Sequence, residues 1–101
     1  MDKYKIAQDY QFVGDDWWKW AIWIEGRDKD LDKIDYVVYT LHPTFPNPVR
    51  RIKSRESKFR LESEGWGIFK IFGKIFLKDK MEIPIEHTLL LKYPDGTKNM
   101  E

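Results

Sequence analysis

The chain has 101 residues carrying 18 basic and 17 acidic side chains, a formal net charge of +1, which fits one domain and gives no bulk attraction to nucleic acid. Five tryptophans, five tyrosines and six phenylalanines supply core material, and the absence of cysteine excludes disulfide staples, thiol catalysis and cysteine metal sites, as expected of a reducing compartment. No apolar run approaches the roughly 18 to 20 residues of a spanning helix, and Met1-Asp2-Lys3-Tyr4-Lys5 lacks a signal-peptide core, so the cytoplasm is expected (the nucleus for a eukaryotic source), with no membrane partner.

Period-two alternation dominates, and no long helical periodicity is present, so the chain reads as all-β. Tyr4, Ile6, Tyr10 and Phe12 share a parity in a first strand, ended by a turn at Gly14-Asp15-Asp16. Trp18, Trp20, Ile22 and Ile24 then point one way, and Gly26-Arg27-Asp28-Lys29-Asp30 forms the next loop. From Ile34 to Leu41, Val37, Tyr39 and Leu41 lie on one face and Tyr36, Val38 and Thr40 on the other, a pattern that suggests cover on both sides. Prolines 43, 46 and 48 end that strand near His42, because proline cannot donate to a ladder.

A short edge strand is expected near Val49 to Lys53, then a strand marked by Phe59 and Leu61, and a loop at Gly65-Trp66-Gly67. Phe69, Ile71, Ile75 and Leu77 share one face of a long strand, with Lys78-Asp79-Lys80 as a hairpin tip. Ile83, Ile85, Leu89 and Leu91 complete the sheet, and Pro84 points to an edge or a bulge. Turn signals at this spacing indicate an antiparallel sandwich. The domain is expected over 1–92, with a turning, frayed tail over 93–101.

Two loops carry the chemistry. Leu41-His-Pro-Thr-Phe-Pro-Asn-Pro-Val49 places an imidazole, a hydroxyl and a benzene ring on a proline-stiffened segment, and Gly65-Trp66-Gly67 sets an indole between glycines. Two aromatic faces with a hydroxyl between them suit a flat, neutral, amide-bearing ligand. Read singly, Phe45 also suits a plug for the end of a sandwich, Trp66 a capping aromatic, and His42 and His87 structural histidines. Arg50, Arg51, Lys53 and Arg55 form a local basic run, either a contact for phosphate or an acidic peptide or a solvated connection between strands. Trp17 and Trp23 have the parity opposite to the inward face and are candidates for an interaction patch.

Together, Leu41-His42-Pro43-Thr44-Phe45, Asn47-Pro48, Arg50, Phe59-Arg60-Leu61-Glu62, Gly65-Trp66-Gly67 and Phe69 resemble the YEATS domain, a family of acyl-lysine readers, over roughly residues 18 to 91, and most closely its compact prokaryotic branch. The resemblance implies an immunoglobulin-like antiparallel β-sandwich of about eight strands. It also implies that His42, Thr44, Phe45, Gly65, Trp66, Gly67 and Phe69 hold an acetylated or crotonylated lysine of a protein or peptide, with His42 bracing the pocket and Phe69 forming wall. A third aromatic wall would come from Phe12, Trp17 or Trp18, among which the alignment does not choose.

Acylation removes the lysine's charge and lets the side chain enter a dry aromatic slot that penalises an ammonium. No phosphate-binding glycine loop, nucleophile elbow or convincing His pair is present, so no catalytic residue, metal ligand or cofactor is expected. The alternative is a protein–protein interaction module on the same scaffold, serving a prokaryotic signalling or defence system without binding acyl-lysine.

Overall fold

The structure is a computed structural model that describes residues 3–96. Its strands are β1 (Lys5–Gly14), β2 (Trp17–Glu25), β3 (Ile34–Thr40), β4 (Val49–Ile52), β5 (Leu61–Gly65), β6 (Lys70–Leu77) and β7 (Glu82–Thr88), with one short helix, α1 (Asp28–Leu31), between β2 and β3. They form two antiparallel sheets, one of order β1-β2-β5 and one of order β4-β3-β6-β7. The described strands therefore number seven, one fewer than the resemblance implied.

The alternation in β2 sets the architecture. Trp18, Trp20, Ile22 and Ile24 are all buried and meet Val37 and Tyr39 of β3 and Ile71 and Ile75 of β6 in a single core. Each fully buried aliphatic side chain contributes about 1.5–3 kcal/mol. The β1–β2 hairpin turns through Asp15 and Asp16, at φ 52° and 56°. Positive φ at both central residues matches the right-handed twist of the strands, and aspartate tolerates it. At Gly73 in β6, an added Cβ would lie 2.9 Å from Ile85 Cγ1, so the glycine admits the neighbouring strand's side chain to the core. Pro84 sits on β7, an edge strand as expected.

Four expectations need correction. The loop after β2 contains α1, which buries Leu31 and Asp30; partial desolvation raises the Asp30 carboxyl, but the Arg27 hydrogen bond (3.0 Å) and the charges of Arg27, Lys3 and Lys33 lower it further. Phe59 is buried but lies in a turn at φ 59° rather than in a strand, and its carbonyl accepts from the Tyr39 hydroxyl at 2.8 Å. Burial away from charge pushes that hydroxyl far above its ordinary pKa. The outer face of β3 is not covered by another layer: Tyr36 stacks on Phe76 with centroids 4.5 Å apart, Arg51 lies over Tyr36, and Phe72 is 52% exposed.

The tail begins later than expected. Tyr93 packs on Trp18 and Phe12, and its hydroxyl bonds Asp16 at 2.9 Å. A turn follows, closed by Gly96 N–H donating to the Tyr93 carbonyl; the remainder of the tail lies outside the described residues.

Candidate functional site

The β3–β4 loop belongs to one sheet, and the segment after β5 crosses from the other sheet into β6. Where they meet is a cleft of ≈ 420 Å³. The proline loop is closed by Leu41 N–H donating to the Pro48 carbonyl and turned by Phe45 N–H donating to the His42 carbonyl. Arg50 fastens it from below, donating to the carbonyls of Pro46 and Asn47, the latter residue at φ 49°. The opposite loop is fixed because Gly65 pairs with Trp18 in the β2–β5 ladder and Leu89 N–H donates to the Phe69 carbonyl.

His42, Thr44, Phe45, Gly65, Trp66, Gly67 and Phe69 all line this cleft. Phe45 and Phe69 lie with ring centroids 5.2 Å apart, and Trp20 supports both from the core at 6.1 and 5.9 Å. Such edge and tilted contacts contribute about 0.5–1.5 kcal/mol each beyond area burial. His42 meets the Phe69 ring at 6.2 Å. Trp66 is 56% exposed at the mouth. Gly65 keeps the wall low, since a Cβ there would stand 3.6 Å from the tip of the Phe45 ring.

The His42–Thr44 pair has a defined polarity. The Thr44 backbone N–H donates to His42 Nδ1 at 3.3 Å, and Thr44 Oγ1 lies 2.9 Å from the same nitrogen. With Nδ1 accepting, the imidazole carries its proton on Nε2, and the Thr44 hydroxyl donates to Nδ1. A hydroxyl that donates to Nδ1 keeps its lone pairs as acceptors, and Thr44 lines the cleft, an arrangement suited to an amide N–H.

Of the proposed third walls, Trp17 lines the cleft, its Nε1–H donating to Glu64 Oε1 at 3.2 Å. Trp18 and Phe12 do not: Trp18 is fully buried, pairs with the Phe12 ring, and donates from Nε1 to the Lys92 carbonyl. Trp23 is half-buried under Arg60 and bonded to Glu25. Pro46, Glu64 and Ile68 also line the cleft and were not anticipated, although Glu64 immediately precedes the Gly-Trp-Gly segment. His87 is half-buried and donates to Gln8 Oε1, and burial lowers its pKa. The basic run does not form one patch. Arg50 holds the proline loop, Arg51 lies over Tyr36, and Arg55 pairs with Asp28 and Asp32.

The family model for the prokaryotic YEATS domain matches residues 18–89. The chain belongs to that family. Among named relatives of this YEATS domain are transcription initiation factor TFIID subunit 14 of Schizosaccharomyces pombe, 41% identical over 56 residues (55% of this chain and 22% of the relative), and the AF-9 homolog of Kluyveromyces lactis, 42% identical over 64 residues (59% and 27%). The aligned region is about a quarter of each relative's length. The Yaf9 YEATS domain bound to H3K27ac superposes with a TM-score of 0.69 at 27% identity, covering 89% of this chain and 70% of that one. The Yaf9 YEATS domain recognising an H3K122suc peptide gives 0.66 at 25% identity, covering 95% and 74%. The immunoglobulin-like β-sandwich of these YEATS structures is the architecture seen here.

Proposed function

We propose that this YEATS domain is a non-enzymatic reader that receives an acylated lysine side chain in the cleft between the two loops. The observation that carries the reading is the cleft itself, in which an aromatic floor and the Thr44 hydroxyl meet. In this reading Thr44 Oγ1 accepts the acyl amide N–H, a backbone N–H of the 65–67 segment donates to the acyl carbonyl, and the flat acyl group lies between Phe45 and Trp66, with Trp17 closing the side. Unmodified lysine is disfavoured because an ammonium loses its hydration among these rings, a cost that the Glu64 carboxylate, bonded to Trp17, offsets only in part. The partner is an acylated protein, and the site of action is the cytoplasm, or the nucleus in a eukaryotic host.

The test is a titration of labelled protein with matched unmodified, acetyl-lysine and crotonyl-lysine peptides, followed by backbone amide NMR. Saturable shifts confined to residues 42–45 and 65–69, with modified peptides only, are the expected result. Absence of shifts with every peptide would discard the reading. A second reading, a protein-docking module without acyl-lysine binding, draws on the exposed Phe72 and Val49 of the outer sheet face. It would be favoured by capture of a partner that survives Trp66→Ala and is lost in Phe72→Ser.

A further inference from the structure

We propose that Glu64 sets the charge class of the acyl group, so that the cleft takes uncharged acyl-lysines and rejects those ending in a carboxylate, such as succinyl- and glutaryl-lysine. The proposal rests on the acyl-lysine reading of the same cleft and narrows it. Among the described residues lining the cleft, Glu64 is the one carboxylate, and none is a lysine or an arginine. The carboxylate is held against the wall, because Trp17, itself a cleft residue, donates its indole N–H to Glu64 Oε1 at 3.2 Å.

No cation among the described residues lies within ion-pair distance of it. Among the described residues the ion pairs formed by glutamates are Arg60–Glu62, Lys70–Glu86 and Lys74–Glu82, and Glu64 is in none of them. Lys19, its partner in the β2–β5 register, and Arg60 line an adjoining shallow hollow that Glu64 also borders, but neither lines the cleft, and Arg60 is paired with Glu62. Arg50, at the base of the opposite loop, has its guanidinium committed to the Pro46 and Asn47 carbonyls.

Scale decides that this one charge matters. A compact volume of ≈ 420 Å³ is roughly 8 to 9 Å across, close to the roughly 8 Å over which ions screen charges at physiological strength. A second carboxylate seated in the cleft near Glu64 is therefore felt by it. At such a separation, and at a permittivity between those of a protein surface and water, the repulsion corresponds to about a tenfold loss of affinity.

The experiment measures the affinity of one peptide sequence carrying acetyl-, crotonyl-, succinyl- or glutaryl-lysine for the wild type, Glu64→Gln and Glu64→Lys. The readout is the ratio of crotonyl to succinyl affinity within each protein. Glutamine keeps an oxygen acceptor for the Trp17 indole while removing the charge, which separates electrostatics from positioning. A ratio of about ten in the wild type, near one in Glu64→Gln and inverted in Glu64→Lys is expected, with the wild-type ratio shrinking in high salt. Equal binding of succinyl and crotonyl peptides by the wild type, or a ratio unchanged in Glu64→Gln, overturns the proposal while leaving the reader function standing. Failure of every acylated peptide to bind would instead overturn the acyl-lysine reading, and this proposal with it.

Discussion

Two aromatic clusters share β2 as a spine, and they have opposite fates. Around Trp18, the rings of Phe12 and Tyr93 pack at 5.1 and 4.9 Å, the indole N–H is used by the Lys92 carbonyl, and the Tyr93 hydroxyl is used by Asp16. Around Trp20, the rings of Phe45 and Phe69 pack more loosely, at 6.1 and 5.9 Å, no described segment closes over them as Tyr93 does over Trp18, and Thr44 Oγ1 has His42 as its one described side-chain partner. Two residues along one strand therefore separate a sealed cluster from an open one. Ring packing of the same kind is structural where a segment of chain closes over it, and borders a cleft where two loops meet beside it.

The largest effect expected is at the sealed cluster. Trp18→Ala removes a fully buried indole and should cost about 3–5 kcal/mol, a large share of the stability of a domain of this size; a denaturant midpoint close to wild type would break the distinction. At the open cluster the effect should appear in binding instead. Trp66→Ala, at a side chain 56% exposed, should shift stability by about 1 kcal/mol or less while abolishing acyl-peptide binding in a calorimetric titration. Thr44→Val removes the acceptor for the amide N–H and is expected to weaken the same peptide by about tenfold, the equivalent of one buried hydrogen bond, with an unchanged melting temperature.

A smaller effect sharpens the comparison from the sealed side. Leu90 at the start of the closing segment is tied to Gln8 by two hydrogen bonds, and His87 donates to the same Gln8 oxygen. Burial lowers the His87 pKa in the folded protein, so the neutral ring is the folded form. Its contribution is fully present above the unfolded value of about 6.5 and is lost as pH falls through the lower folded value. Melting temperature should therefore decline on acidification below about pH 6.5. The decline should be shallower in His87→Gln; an identical slope would remove the histidine from the account.

The smallest effect concerns shape. Gly65→Ala places a methyl 3.6 Å from the Phe45 ring, an ordinary contact. Stability is expected to stay within about 0.5 kcal/mol, while the longer crotonyl group loses more affinity than acetyl as the slot narrows.

The sequence by itself determined the inward face of β2, the proline-terminated β3, the hairpin at residues 78–80 and both loops of the cleft, because each is encoded locally. Strand alternation has period two, proline lacks an N–H, and flanking glycines mark a loop. The Trp18/Tyr93 closure was not legible, since it joins residues 75 positions apart through a tail whose composition reads as polar. Phe59 was misread for a related reason: its burial looks like a strand signal, yet its positive φ and its bond to Tyr39 are set by the turn and the opposite sheet. Tertiary structure alone chose Trp17 over Phe12 and Trp18 as a cleft wall and brought Glu64 to it. Periodicity assigns a side chain to a face, but which rings are covered depends on where distant segments of the chain come to rest.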